Sequence, residues 1–436
     1  MPAPQLSDHF SRREPSAIRL AQIEFSKRKD GVRALNVAIG NVSLPMHPAM
    51  QERMNSLGGP GSPFETGVVK YTATVGTEEA NAAFVNLIAS SGGETSRLLS
   101  QVTDGGSQGM ELVITGCCGA PGTDERPLML IDAAYTNYMA FAERLGRETV
   151  SITRTLDDEG QFSLPGAPEI TAAIVEHNPG AMVIIPYDNP TGQLYDRESL
   201  IELAKLCVEH NLWIISDEAY RELYYTDASP VSIWSLSESE VPGIGGRRIS
   251  IETASKVWNA CGLRIGALVT DNPDFHERAV AENTASLCSN AIGQYIFGAL
   301  AHQSHAELKS WYNQQRHYYQ EMLGEFTEEM RNLLPGVIVS NPDASIYSVV
   351  DLRKLVGAGF EAMDFVLYCA RQGRVEMGGE ELTLLTAPMS GFYNITDGAD
   401  NPGRTQLRIA YVESPAKMRC VPKLLAELFH QFQNLA

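Results

Sequence analysis

A lysine follows directly on a predicted strand in the stretch 249–266. The strand carries the β-branched residues Ile249 and Ile251 and leads through small hydroxyl residues to Lys256. Burial disfavours the charged form of a lysine and lowers its pKa, and covalent chemistry on a carbonyl carbon requires a neutral amine. Arg264 follows eight positions on, and its planar, permanent charge suits a phosphate group. From this stretch alone, a surface lysine followed by a loop arginine explains the pattern equally well.

A glycine-rich turn at Gly105, Gly106 and Ser107 leads into an apolar-periodic stretch that predicts a helix. Free backbone N–H groups and the positive end of the dipole make a helix N-terminus an anion site. A tight loop without a ligand explains such a turn about as well when it is considered alone.

Three further polar residues also follow apolar runs. Asn189 lies in a turn, and Asp217 ends a continuous apolar run with Tyr220 three positions on. An ionised aspartate is costly to bury without a partner, and a protonated heterocyclic nitrogen is one such partner. Tyr220 could then donate a hydrogen bond to an oxygen on the same ring. Together with the lysine and the anion site, these residues suit an aromatic aldehyde cofactor that carries a phosphate.

Alternating strands and helices position these groups. Continuous apolar strands separated by helices predict a mostly parallel sheet that is covered by helices on both faces, an α/β fold. Ligands of such sheets bind at the carboxyl ends of the strands. We predict strands over 128–131, 149–152, 181–186, 212–216 and 267–270, a short strand that begins at Ile249, and helices over 77–89, 110–118, 138–145, 169–176 and 197–210.

The pattern changes beyond residue 300, which predicts a smaller α+β domain. Its predicted elements are a long helix over 306–334, strands over 337–339, 345–350 and 407–412, a helix over 359–372 and one terminal helix from 415 onward. A lead-in helix over 15–25 and a strand over 34–39 precede the main alternation. We expect three units: an N-terminal segment 1–48 that joins the small domain, a large cofactor-binding domain 49–305 and a small domain 306–436.

Composition excludes several classes of protein. The net charge of −19 over 436 residues argues against nucleic-acid binding. No apolar run reaches membrane-spanning length, and no signal peptide is recognised. The seven cysteines show no metal-site spacing, so we expect no metal and a reduced, cytoplasmic protein.

Four motifs occur together along the chain: DNPTG at 188–192, DEAY at 217–220, SKVWNACGLRIG at 255–266 and LRIAY at 407–411. With these motifs, the sequence resembles the class I/II aminotransferases, which are fold-type I enzymes that use pyridoxal 5′-phosphate. The resemblance extends from Gly40 to Arg408. It implies a large domain with a mostly parallel central sheet between helices, and a smaller α+β domain.

The resemblance also implies roles for individual residues. Lys256 is similar to the lysine that forms the Schiff base and shuttles a proton, Asp217 to the carboxylate on the ring nitrogen, and Tyr220 to a partner of the ring's 3-oxygen. The implied cofactor-binding set is Gly105, Gly106, Ser107, Tyr71, Tyr135, Asn189, Asp217, Tyr220, Thr253, Ser255, Lys256 and Arg264, and the implied substrate set is Gly40, Asn189 and Arg408.

Some of these assignments have simpler explanations. Tyr135, which resembles the aromatic that stacks on the ring, could be a core residue, and we interpret Tyr138 as one. Tyr71 resembles a tyrosine that reaches the phosphate of the neighbouring subunit, which would imply a homodimer with shared sites. Arg408 resembles the arginine that binds the substrate α-carboxylate, although it could instead pair with a carboxylate of the protein.

Two features bear on the substrate. One subgroup of dicarboxylate-specific enzymes carries a further arginine, and the matching stretch 286–291 has none, although Arg19 or Arg28 could substitute for it. Phe392 and Tyr393 hint at a pocket for larger or aromatic side chains.

The expected reaction moves an amino group from an L-amino acid to a 2-oxo acid by a ping-pong mechanism through the Lys256 Schiff base. Two alternatives stay open. A β-lyase or elimination enzyme of the same fold would release pyruvate and ammonia without an acceptor. A non-catalytic regulatory protein would bind pyridoxal phosphate without turnover.

Overall fold

The computed structural model describes residues 4–123, 125–227, 231–395 and 400–435, in which the chain forms fourteen α-helices and sixteen β-strands. The helices are α1 (Asp8–Ser11), α2 (Ala17–Ser26), α3 (Pro48–Asn55), α4 (Glu78–Ser90), α5 (Gly105–Cys118), α6 (Asn137–Arg144), α7 (Ala167–His177), α8 (Arg197–Glu209), α9 (Pro273–Asn283), α10 (Ala291–Gly298), α11 (His305–Leu333), α12 (Ala362–Arg371), α13 (Pro415–Met418) and α14 (Val421–Gln433). The strands are β1 (Arg33–Asn36), β2 (Leu99–Asp104), β3 (Leu128–Asp132), β4 (Thr149–Thr153), β5 (Thr155–Leu156), β6 (Phe162–Ser163), β7 (Ala181–Ile184), β8 (Trp213–Asp217), β9 (Arg248–Thr253), β10 (Ile265–Thr270), β11 (Ile338–Val339), β12 (Tyr347–Asp351), β13 (Val375–Met377), β14 (Glu380–Leu385), β15 (Ala387–Pro388) and β16 (Gln406–Ala410).

The central sheet has seven strands in the order β2-β10-β9-β8-β7-β3-β4. β10 is antiparallel to both of its neighbours, and the other pairs are parallel. Met182 and Ile184 of β7 pack into one hydrophobic core, and Ala181 and Val183 pack into a second core on the opposite face. Continuous apolar strands are therefore buried on both sides, as the sequence predicts, and the α/β fold with a mostly parallel sheet is confirmed.

The ends of five strands meet at one edge of this sheet. β2, β7, β8 and β9 are mutually aligned and end there. β10 runs the other way, so it begins there, with Ile265 opposite Asp104 at the end of β2. Residues that follow the first four strands, and Arg264 just before β10, are thereby brought to the same edge.

The C-terminal part of the chain forms two smaller sheets. One is antiparallel, in the order β11-β12-β16-β15, and the other has the order β1-β14-β13. β1 pairs in parallel with β14, with Leu35 opposite Leu384, so the N-terminal segment joins a sheet of the C-terminal region. The domain boundaries at residues 48 and 305 stay predictions.

Two predicted elements differ from the structure. The single helix from residue 415 onward is in fact two, α13 and α14, because Pro422 lacks an N–H and is tolerated only in the first turn of a new helix. The strand predicted over 34–39 ends at Asn36, whose side chain accepts a hydrogen bond from the Ala38 N–H and turns the chain.

Several elements were not predicted, among them β2, β13, β14, β15, α3, α9 and α10. β2 illustrates why: its Gln101 and Thr103 are fully buried although their types indicate a surface segment. By contrast, Thr77 caps α4 as predicted, since its side chain accepts a hydrogen bond from the Ala80 N–H. Within the described ranges, no helix combines the length and apolar character needed to cross a membrane.

Candidate active site

A cavity of about 320 Å³ opens at the edge where the strand ends meet. Twelve of the fourteen predicted site residues line it: Gly40, Gly106, Ser107, Tyr135, Asn189, Asp217, Tyr220, Thr253, Ser255, Lys256, Arg264 and Arg408. The structure thus brings together residues that are separated by up to several hundred positions in the chain. Only Gly105 and Tyr71 lie outside this lining.

Lys256 follows β9 and projects into the cavity. Its Nζ donates a hydrogen bond to the carbonyl oxygen of Gly40, which belongs to the N-terminal segment. A Cβ at Gly40 would overlap the hydroxyl of Tyr347 and would stand only 2.9 Å from Lys256 Nζ. Position 40 therefore requires glycine, because the lysine amine and a tyrosine hydroxyl both approach its backbone.

Asp217 is the last residue of β8. Its Oδ2 accepts a hydrogen bond from the Tyr138 hydroxyl at 2.5 Å, and its Oδ1 accepts one from the Ala219 N–H at 3.1 Å. Burial raises the pKa of the Asp217 carboxyl, and the hydrogen bonds from Tyr138 and Ala219 counteract part of that rise. A cationic group in the cavity would favour the charged form and complete the site of this carboxylate.

Tyr138 makes a contact at the site that the sequence did not indicate. It is a buried core residue, as expected, but it also contacts Asp217 directly. Its ring stands edge-on to that of Tyr135, with centroids 5.4 Å apart. The three-residue spacing of these tyrosines at the start of α6 was the signal that could have placed both at the site.

Tyr135 exposes part of its ring to the cavity. Its hydroxyl accepts a hydrogen bond from Asn137 Nδ2 at 2.8 Å. Burial raises the pKa of this hydroxyl to about 12, so it stays neutral and the ring is available as an apolar surface.

An anion cup lies at the N-terminus of α5. Asp104 occupies the N-cap position and, among the described residues, its side chain forms no capping hydrogen bond, so the first-turn N–H groups are left for a ligand. Gly105 adopts φ +69°, and a Cβ there would overlap the Arg264 guanidinium. This close approach places the positive charge of Arg264 at the N-terminus of α5, where the helix dipole is also positive.

Two hydroxyl groups complete the cup. The side-chain oxygens of Thr253 and Ser255 are 2.7 Å apart, and the Ser255 N–H donates a hydrogen bond to Thr253 Oγ1 at 3.1 Å. Both side chains are partly exposed to the cavity. Hydroxyl donors beside an arginine and free N–H groups form a site for a phosphate.

Arg408, from β16, is buried and lines the cavity. Its Nη1 donates to Asn189 Oδ1 at 2.8 Å and its Nη2 donates to the Ala38 carbonyl at 2.7 Å. Its Nε is buried and has no hydrogen-bond partner in the described part of the chain. Since none of these contacts is a carboxylate, the alternative in which Arg408 pairs with an acidic side chain is not what the structure shows.

Two aromatic rings hold the Arg408 guanidinium, which lies 4.3 Å from the centroid of Tyr347 and 4.9 Å from that of Phe392. Tyr347 also lines the cavity, and the sequence did not indicate it. Phe392 and Tyr393 are both buried, and neither lines the cavity, so the hint of an aromatic pocket built from them is wrong.

The two candidate arginines of the N-terminal segment differ in position. Arg19, on α2, is exposed and lines the cavity. Arg28 instead pairs with Asp30 at 2.7 Å and donates hydrogen bonds to the carbonyls of Cys369 and Gly373. Of the two arginines, Arg19 is therefore the one that lies at the cavity.

Tyr71 is largely exposed to solvent, with 79% of its surface accessible. Val68 and Val69 beside it are exposed by 51% and 56%. Three large apolar side chains are thus exposed within the four residues 68–71.

Comparison with known proteins gives a consistent result. The model of the family "Aminotransferase class I and II" matches residues 65–389, well over half of the chain. The probable aspartate/prephenate aminotransferase of Aquifex aeolicus is 30% identical over 194 residues, which are 44% of this chain and 48% of that protein. The aspartate aminotransferase of Musicola paradisiaca is 24% identical over 275 residues, 61% of this chain and 64% of that protein. These alignments thus span about half and just under two thirds of the two relatives.

The fold extends further than the sequence similarity. The aspartate aminotransferase of Thermus thermophilus, solved with maleate, superposes with a TM-score of 0.77 over 98% of this chain and 100% of that chain, at 19% identity. At that identity the likeness establishes the fold alone. With the family match across most of the chain, the protein belongs to the class I and II aminotransferases.

Proposed function

We propose that this protein is a pyridoxal 5′-phosphate-dependent aminotransferase, which moves an amino group from an L-amino acid to a 2-oxo acid. One observation carries the proposal. A lysine amine, an enclosed carboxylate and an anion cup surround a single cavity of about 320 Å³. The enzymes of this family use that cofactor, which supplies an electron sink when it is bound.

The residues around the cavity fit the cofactor. Among the described residues the Asp217 carboxylate forms no salt bridge, although the charge of Lys256 lowers its pKa. A protonated ring nitrogen would provide a direct cationic partner. The cup of Gly105, Gly106, Ser107, Thr253, Ser255 and Arg264 would hold the phosphate. Tyr220 and Asn189 would bind the 3-oxygen, and Tyr135 would cover one face of the ring.

Three residues of the protein would then have separate roles in amino transfer. Arg408 would bind the substrate α-carboxylate, for which its unpartnered Nε and its fixed plane are suited. Lys256 would carry the cofactor at rest and move the Cα proton during the reaction, since its amine lies at the cavity beside Gly40. Asp217 would keep the proton on the ring nitrogen throughout.

One assay separates this proposal from its alternatives. Purified enzyme is incubated with an amino acid, with and without a 2-oxo acid acceptor. An aminotransferase forms product in proportion to the acceptor. Release of pyruvate and ammonia without an acceptor would establish a lyase, and binding of the cofactor without any turnover would establish a regulatory protein.

We expect Arg408→Lys to raise the KM for both the amino acid and the 2-oxo acid by about 10–100-fold, the range of losing a charge-assisted hydrogen bond. Lysine keeps the positive charge but cannot form the bidentate hydrogen bond that a guanidinium donates to a carboxylate. Steady-state kinetics with both substrates measure the change. Arg419→Lys, at an exposed ion pair with Glu321 and Glu325, is the matched control and should change nothing. Unaltered KM values in Arg408→Lys would refute the role.

Arg19 is the cation that meets an acidic substrate side chain. Because it is exposed, its pairing is worth less than about 1 kcal/mol, so Arg19→Ala should weaken kcat/KM for aspartate or glutamate by about 2–5-fold and leave alanine unchanged. Arg12→Ala, an exposed arginine outside the cavity lining, is the control. Equal losses for acidic and neutral amino acids would count against this assignment.

A homodimer with shared sites is the assembly that we infer. The exposure of Val68, Val69 and Tyr71 within one short segment supports it, since concentrated exposed apolar surface marks interaction sites. Tyr71 would reach the phosphate of the neighbouring subunit. The seven free cysteines, four of them buried, support the expected cytoplasmic location.

A further inference from the structure

Tyr347 connects the C-terminal region to the candidate site. It is the first residue of β12, and only 2% of its surface is exposed. Its hydroxyl oxygen lies 2.8 Å from that of Tyr220, and the two rings meet edge to face with centroids 5.7 Å apart. The hydroxyl of Tyr347 is therefore a direct partner of the residue assigned to the 3-oxygen of the cofactor.

The backbone around Tyr347 is held on both sides. Tyr347 pairs with Ala410 in the antiparallel ladder, and the Tyr411 N–H donates to the Ile346 carbonyl at 3.0 Å. Just before it, the Ser345 hydroxyl donates to the Asp188 carbonyl at 2.8 Å, which ties this segment to the turn that carries Asn189. These contacts fix the backbone at and around Tyr347 and thereby fix the position of its hydroxyl.

The single hydrogen of the Tyr220 hydroxyl limits which of the two tyrosines can donate to the other. A tyrosine hydroxyl has one hydrogen to donate and two lone pairs to accept with. Asn189 Nδ2 approaches the Tyr220 oxygen only at 3.5 Å, a weak contact, and Asn189 Oδ1 is already bound to Arg408. If the Tyr220 hydrogen points at the cofactor, the hydrogen between the two tyrosines must come from Tyr347.

We propose that Tyr347 is a positioning residue, which donates its hydroxyl hydrogen to Tyr220 and thereby aims the Tyr220 O–H at the 3-oxygen of pyridoxal phosphate. This inference rests on the proposed function. A hydrogen bond accepted by a hydroxyl strengthens the bond that the same hydroxyl donates, because the two polarise each other. Tyr347 therefore strengthens the hold of Tyr220 on the ring oxygen by acting through the Tyr220 hydroxyl.

This arrangement has a spectroscopic consequence. A hydrogen bond donated to the 3-oxygen would withdraw electron density and make the Lys256 nitrogen, when it is joined to the cofactor, less basic. Weakening that bond makes this nitrogen more basic, so the absorbance of the bound cofactor titrates at higher pH. Tyr347→Phe should move the midpoint upward by about 0.4–1 pH unit, the span of one hydrogen bond. Tyr220→Phe should move it further in the same direction.

The experiment is a pH titration of the absorbance of the holoenzyme for the wild type, Tyr347→Phe, Tyr220→Phe and the double variant. Because Tyr347 acts through Tyr220, the double variant should match Tyr220→Phe. Phenylalanine keeps the ring under Arg408, so the KM for the amino acid should stay within about twofold of the wild type. Tyr411→Phe is the matched control, since it removes a buried hydroxyl, bonded to Ser348 at 2.9 Å, outside the cavity.

The outcomes separate this inference from the proposed function. A wild-type band that titrates, with the same midpoint in Tyr347→Phe, overturns the role of Tyr347 alone. Additive shifts in the double variant also overturn it, because they show that Tyr347 acts independently of Tyr220. A wild type with no cofactor band at all would instead remove the proposed function.

Discussion

Lys256→Ala should remove the absorbance band of the cofactor that is joined to this lysine and lower turnover by at least about 10²–10⁴-fold, the contribution of a positioned proton-transfer group. Among the described residues Lys256 is the only lysine that lines the cavity, so no other amine can take its place. Absorbance after gel filtration and single-turnover rates with an amino acid measure the two effects.

The fold of the variant is expected to survive. Lys256 is partly exposed, and its side chain makes one hydrogen bond, to Gly40. The thermal unfolding temperature of the apoprotein should therefore change little. Lys205→Ala, at an exposed position on α8, is the control and should behave as the wild type. Near-normal turnover in Lys256→Ala would remove Lys256 from the mechanism.

Asp217→Asn should lower kcat by about 10²–10³-fold, the loss expected when one preorganised electrostatic group is removed from an enclosed site. Asparagine has the same shape, and its single side-chain oxygen can accept only one of the two hydrogen bonds that Tyr138 and Ala219 donate to the two carboxylate oxygens. It has no charge, however, with which to hold a proton on the ring nitrogen. Rapid-mixing measurements of Cα proton removal would locate the loss in the chemical step.

Tyr138→Phe is a milder substitution that perturbs the same carboxylate. It leaves the Asp217 carboxylate in place and removes one hydrogen bond that lowers its pKa. The loss of rate should therefore be about tenfold or less. A loss in Asp217→Asn no greater than that in Tyr138→Phe would show that the charge of Asp217 is not required.

The parts of this site that follow strands could be predicted from the sequence. Asp217 and Lys256 each come at the end of a recognisable apolar strand, and parallel strands in one sheet end at the same edge. The anion cup was predictable for a similar reason, since a glycine-rich turn preceded an apolar-periodic helix. Local pattern and one topological rule were sufficient for these residues.

Other contacts depend on packing between distant segments, for which no local pattern exists. Tyr347 meets Tyr220 across 127 positions of sequence, and its strand resembles any other buried strand. The choice between Arg19 and Arg28 required the placement of α2, because both occur among similar charged residues. Phe392 suggested a substrate pocket by its type, whereas its place under Arg408 is a result of tertiary packing.

The most direct test of the account is the absorbance spectrum of the purified holoenzyme, recorded while a panel of amino acids and then a 2-oxo acid are added. The account predicts a cofactor band that converts to the aminated form of the cofactor with at least one amino acid and returns when the 2-oxo acid is supplied. That cycle would demonstrate both halves of amino transfer and identify the substrate. A band that no amino acid changes, or one that persists while pyruvate and ammonia accumulate, would contradict the assignment as an aminotransferase.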